Sequence, residues 1–221
     1  MRRITKAALG GVAGCALILG ATQVASSESA VLEYNYTWEN KDVVDLRSGE
    51  ATEPHATTFD AAFGSLRIKV TPEAITSFKL RIEGIATSSI IDGVETSTVG
   101  TTFGAHLHTD PCNVRTPWDA AQPGGPHYNH DSVLGNDPIE INTNTEAWFD
   151  LVPNANGVAT ADISAPFVPD DSILSEKTNQ ILGDMSVVIH EKATNPATGG
   201  AGQRQVCLPL KASQWNPVPT E

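Results

Sequence analysis

Positive charge is scarce in this chain. Fourteen lysines and arginines stand against 26 aspartates and glutamates in 221 residues, a formal net charge of −12 at pH 7. A surface of that sign argues against nucleic acid and anionic membrane as partners. Cysteine is also scarce, with only Cys15, Cys112 and Cys207 present. Helical periodicity is nearly missing. Only DDSILSEKTNQILG, 170–183, puts Ile173, Lys177 and Ile181 on one face, and it reads as a short helical turn or loop rather than a core helix. Internal repeats are absent, which excludes solenoids and propellers. The apolar run near the N-terminus is short and interrupted by glycines, too little for a membrane span.

That N-terminal segment is a targeting signal rather than fold material. MRRITKAALGGVAGCALILGATQVASS, 1–27, opens with Arg2, Arg3 and Lys6, continues apolar to about Ala21, and ends in small residues around Val24–Ser27. This is the layout of a secretory signal, and it predicts a secreted, extracellular or cell-envelope protein. Val12-Ala13-Gly14-Cys15 also resembles a lipobox, although the apolar run continues past Cys15 as ALILGA. Membrane attachment follows only if Cys15 is lipidated. Removing the three N-terminal cations takes the formal charge from −12 to −15. Cys112 and Cys207 then remain, and an oxidising compartment makes them one disulfide rather than two free thiols. Closing a loop that long contributes about 4–5 kcal/mol in the chain-entropy model.

In the mature chain, residues 28–60 form an N-terminal extension that includes YNYTWEN and His55 and shows no clear element. Alternation then sets in. Leu66, Ile68 and Val70 interleave with Arg67 and Lys69, and Phe78, Leu80 and Ile82 interleave with Lys79, Arg81 and Glu83. These are half-buried strands of period two. Further strands are expected at 101–108, 146–152, 158–163, 185–191 and 205–210. Asn154-Ala155-Asn156-Gly157 is expected to be a hairpin turn. The longest connection runs from Thr109 to about Thr145, and a loop of that length usually carries function. The β domain spans 61–212, and the 213–221 tail, with NPVPTE, reads as a frayed end. Short strands joined by turns and long loops predict an all-β sandwich or barrel.

Six histidines are distributed over this framework: His55, His106, His108, His127, His130 and His190. In the strand GAHLHTDPC, His106 and His108 share a face and Leu107 points the other way, into the core. Alone, the pair is equally an alternating strand with a wet face. His127 sits in GGPHYNH, where a solvated loop residue is the plain alternative. His190 ends the apolar run SVVIH, at a water boundary. Four imidazoles from three segments suit copper or zinc, and without a thiolate or thioether they disfavour a blue-copper site. A cupin would also use an H-x-H strand, and Gly100 lies suitably upstream of His106. It needs a glutamate soon after the second histidine, however, where this chain has Thr109-Asp110-Pro111-Cys112.

In order, GAHLHTDPC, GGPHYNH and VVIHEK followed by GQRQVC resemble the copper/zinc superoxide dismutases, whose pattern is G-x-H-x-H, G-P-H-[FY]-N, V-[VI]-H-E-K and G-x-R-x-x-C. The resemblance covers roughly 60–210. It implies an eight-stranded Greek-key β-barrel or sandwich with long active-site loops. It implies His106, His108, His127 and His190 as copper ligands and Cys112–Cys207 as the disulfide. Arg204 would position the superoxide anion and His127 would carry a proton, with Arg115 and Lys192 as helpers. Superoxide would be converted to oxygen and hydrogen peroxide by alternate reduction and reoxidation of copper.

The departures are specific. Ala147 stands where the family has a zinc-binding histidine three residues before the aspartate matched by Asp150, and His130 is too close to His127 for the usual spacing. Two zinc ligands are thus missing, and the His190–Arg204 loop is short, as in the copper-only branch. Without zinc, a carboxylate must hold the far nitrogen of His127. Glu146 is the first choice and Asp150 the second, unless both are ordinary surface carboxylates. His130 and His55 are read as solvated. An extracellular copper-storage protein with this fold is the alternative function. The sequence is silent on oligomeric state.

Overall fold

The computed structural model describes residues 32–46, 58–70, 75–91, 94–112, 123–164, 185–210 and 216–219. Residues 1–27, expected to be a secretory signal and holding Cys15, lie outside them, as do His55, Arg115 and the 170–183 stretch. As expected, the protein is all-β. One sheet runs β11 (Asn216–Pro219), β1 (Leu32–Trp38), β3 (Phe63–Val70), β4 (Ile75–Glu83), β8 (Ala159–Ile163). A second runs β2 (Val44–Asp45), β10 (Arg204–Pro209), β9 (Ser186–His190), β7 (Ala105–His108). A small hairpin pairs β5 (Ser88–Ile91) with β6 (Val94–Ser97). The ladders of the sheets are antiparallel. Among the described residues no ladder joins the two larger sheets into a closed barrel, so the architecture is a sandwich.

The period-two reading of β3 and β4 translates directly into burial. Leu66, Ile68, Phe78, Leu80 and Ile82 are buried, while Arg67, Lys69, Lys79 and Arg81 are exposed. The buried face meets Leu107, Val187, Ile189, Val206 and Leu208 of the second sheet in one core. Phe78 meets Phe149 edge to face with centroids 5.7 Å apart, a geometry that aromatic quadrupoles favour. Leu107 is in this core, so the strand's other face carries the imidazoles.

Four expectations need correction. Residues 32–38, unassigned in the sequence, form β1. Tyr34, Tyr36 and Trp38 are buried, and Trp38 Nε1–H donates to Pro209 O at 2.8 Å, linking the two sheets. The signal was an aromatic period of two inside YNYTW. The tail is not frayed over 216–219, because those residues pair with β1. Pro217 and Pro219 lack N–H donors, which an edge strand tolerates. Both segments extend the sheet beyond 61–212. Residues 146–152 are no continuous strand but meet 103–106 through the isolated bridges Phe103–Leu151 and His106–Trp148. The turn at 154–157 forms, with Gly157 at φ 68° and Asn154 N–H donating to Val158 O at 2.9 Å, yet no strand ladder continues beyond it, and the chain passes from residues 146–152 to β8 in the other sheet.

Gly157 shows how tight that crossing is. Its carbonyl accepts from Ile85 N–H at 3.0 Å, and a Cβ there would stand 2.2 Å from Ile85 O. Left-handed backbone and a clash with main chain act together. Gly157→Ala is expected to cost at least about 2 kcal/mol of unfolding free energy in denaturant titration. A change within about 0.5 kcal/mol, the range of a neutral surface substitution, would contradict this.

Candidate metal centre

β7 delivers His106 and His108 to one face. β9 ends on His190, and the loop ahead of α1 (His130–Leu134) supplies His127. One nitrogen from each of the four rings lies within 4.8 Å of the others, and three of the four residues are buried. Such a group of imidazoles could hold a metal ion. His130 stays outside it. It is buried beside Tyr128, whose hydroxyl lies 3.4 Å from His130 Nδ1, and it begins α1. That helix was not anticipated. Asn129 Oδ1 caps it by accepting from Ser132 N–H at 3.2 Å, and Gly135 in left-handed conformation ends it.

Each ring spends its outer nitrogen on a fixed partner. His108 Nδ1 meets Gly125 O at 2.8 Å, and His190 Nδ1 meets Gly202 O at 3.1 Å. His127 Nδ1 meets Glu146 Oε2 at 2.9 Å. His106 turns the other way, placing Nε2 at 2.9 Å from Thr194 Oγ1 and leaving Nδ1 buried without a hydrogen bond. A carbonyl or carboxylate only accepts, so His108, His127 and His190 hold their proton on Nδ1 and present a bare Nε2. The inward nitrogens thus turn lone pairs toward one another, with His190 Nε2 3.5 Å from His108 Nε2, an arrangement a shared Lewis acid would relieve, and the orphaned His106 Nδ1 is the atom such an ion would satisfy.

The two candidate carboxylates separate clearly. Glu146 is buried, and its Oε2 accepts from His127 and from Trp148 Nε1–H at 2.8 Å, while Oε1 accepts from Asn129 Nδ2–H at 3.1 Å. Burial alone would raise its carboxyl, but the hydrogen bonds from His127, Trp148 and Asn129 outweigh it and hold it below the usual carboxylate value. Asp150 is exposed and lies on Thr194 instead. Trp148, Asn129 and Thr194 escaped the sequence reading. Trp148 carried a weak signal, two residues after Glu146 and hence on the same face of an extended segment.

Arg204 opposes His190 in the register of β10 and β9. Its Nη1–H donates to Pro123 O and its Nη2–H to Gly125 O, each at 2.7 Å. Gly125 O therefore joins Arg204 to His108. The Cys112–Cys207 disulfide forms, with Cα atoms 5.6 Å apart across 95 positions, and ties the start of this loop to β10. Lys192 is exposed and pairs with Glu191 at 3.0 Å. A groove of about 370 Å³ lies beside His127 and Glu146, lined also by Pro126, Asn129, Ile139 and Ile141, and of the four clustered rings only His127 lines it.

Burial is the largest force on the enclosed rings. It drives His106 down to about 2 and His190 to about 4, and His127 and Arg204 push both further in the same direction. His108 falls well below its ordinary value for the same reasons. In the unfolded chain these rings return to about 6.5. Below that value the unfolded chain binds more protons than the folded one, so acid favours unfolding. The metal-free protein is expected to lose stability as pH falls from about 6.5 toward 4, each ring contributing up to about 1.4 kcal/mol per pH unit. Thermal melts across that range check it. A melting temperature unchanged over the window would contradict the neutral, buried cluster.

No family model matches the chain, and no curated protein matches it. Among solved structures, it is similar to a SOD-like protein from Bacillus subtilis at 19% identity and TM-score 0.42, covering 79% of this chain and 95% of that one. A double mutant of a SOD-like protein from Bacillus subtilis matches at 19% identity and TM-score 0.44, covering 80% and 96%. A single mutant matches at 18% and 0.45, covering 80% and 97%.

Proposed function

We propose that the chain is a secreted copper-dependent superoxide dismutase that works with copper alone. The observation that carries this reading is the four-imidazole cluster. Its inward nitrogens are bare, and its residues come from segments in the order of the copper/zinc superoxide dismutase pattern. Imidazole donors without a thiolate suit copper. The far nitrogen of His127 is engaged by Glu146, which supports one metal rather than a shared pair. Bound by His106, His108, His127 and His190, copper would supply one-electron chemistry, taking superoxide to oxygen in one half-reaction and, with two protons, to hydrogen peroxide in the other.

The chain's residues do the remainder. Arg204 is charged at any working pH and sits against the cluster, so it draws the anion in where the net charge of −12 would repel it. His127 is the half-buried member of the four and faces the groove. Free of the ion, its Nε2 would carry a proton, while Glu146 keeps Nδ1–H in place. Lys192 gives little help, since Glu191 offsets its charge.

Copper storage is the second reading, favoured by one observation: Arg204 is also bonded to two loop carbonyls, as a purely structural arginine would be. Stopped-flow loss of superoxide and copper content, measured on the same sample, separate the two. The expected result is one copper per chain with rapid superoxide removal. Arg204→Ala should lower kcat/KM roughly tenfold to a hundredfold at low salt while copper is retained. A copper-loaded protein without activity would establish storage instead, and full activity in Arg204→Ala would remove that residue's role.

A further inference from the structure

His106 is the odd ring of the four. The other three donate to groups that can only accept, which settles where their proton sits. His106 Nε2 faces the Thr194 hydroxyl at 2.9 Å, and a hydroxyl can donate or accept. Thr194 alone would leave the ring free to present either nitrogen inward.

Asp150 removes that freedom. Its Oδ1 accepts from Thr194 Oγ1–H, and also from Thr194 N–H at 3.4 Å. Threonine has one hydroxyl proton. Committed to a carboxylate, it leaves the oxygen only able to accept from His106. His106 Nε2 must then carry the ring proton, and Nδ1 is left bare toward the cluster, where it is buried and unbonded.

Gly104, the first residue of GAHLHTDPC, makes room for this chain of bonds. A Cβ at 104 would stand 2.8 Å from Thr194 Oγ1 and 2.9 Å from Lys192 O. Its main chain fixes the same loop, because Gly104 N–H donates to Lys192 O and Gly104 O accepts from His190 N–H, both at 2.7 Å. The hydroxyl is thereby held against His106 by backbone just before β7 and at the end of β9.

We propose that Thr194 is a positioning residue: its hydroxyl relays the Asp150 carboxylate to His106 Nε2 and fixes Nδ1 as the atom that meets the metal. The metal-facing half of this statement rests on the copper reading above; the relay itself does not. A carboxylate passed through a hydroxyl also makes the ring a stronger donor, as an outer partner does for a metal-bound imidazole. Asp150 thus serves His106, while Glu146 serves His127, whose ring centroid lies 4.0 Å from that of His106.

Long-range proton–nitrogen correlation on the metal-free chain with ¹⁵N-labelled histidine reads the tautomer of each ring directly. The expected result is Nε2–H for His106 in the wild type and in Thr194→Ser, and mixed tautomers in Thr194→Val. Cu(II) affinity, measured by competition with a chelator, should fall about tenfold or more in Thr194→Val and be restored in Thr194→Ser. If Thr194→Val does not fold, Asp150→Asn reads the same tautomer shift, because an amide can both donate and accept. Nδ1–H on wild-type His106, or an unchanged tautomer and copper affinity in Thr194→Val, would overturn the relay. The expected tautomers in a chain that binds no Cu(II) would uphold the relay and sink the copper reading, so the two fail separately.

Discussion

Three of the four imidazoles gathered within 4.8 Å of one another are buried, and a buried ring is tolerated only if it stays neutral and satisfies its outer nitrogen. The rest of the site follows from that requirement. The acceptors are Gly125 O, Gly202 O, Glu146 and Thr194, and none belongs to the strand of the ring it serves. Loops and site are therefore a single construction. Moving the 123–125 segment would unpair His108, and moving the 191–202 segment would unpair His106 and His190. Arg204 holds the first segment to β10, the disulfide holds Cys112 to the same strand, and Gly104 holds the second segment to the start of β7.

Arg204 works in two ways at once. Its two carbonyl bonds order the loop that orients His108, and its charge discourages protonation of the rings around it. Both effects keep the inward nitrogens bare. The same charge gives an otherwise acidic protein a local point of attraction for a small anion. Structural and catalytic roles are thus compatible in one side chain, which is why copper content and turnover must be read together.

Much of the frame was legible in the sequence because it depends on local period. Leu66 to Glu83 alternates plainly, and H-L-H on a strand dictates that Leu107 and the two imidazoles part company. The tyrosines and tryptophan of YNYTW carried the same signal, hidden by their polar neighbours. The pairing of 216–219 was not visible, since prolines suggest an end and the partner strand lies far away in sequence. Outer partners were least legible. Glu146 was singled out on chemical grounds, whereas Thr194 has no spacing rule. It reaches His106 only because the chain after His190 folds back across Gly104. Contacts made by loops are set by where their ends are anchored, and a linear pattern does not encode that.

The central claim is that one metal occupies the four-histidine cluster and Glu146 takes the place of a second. Elemental analysis of the chain refolded with copper and zinc together in excess tests it most directly. The account predicts one copper per chain and no stoichiometric zinc. Copper and zinc in equal amounts, one of each per chain, would contradict it.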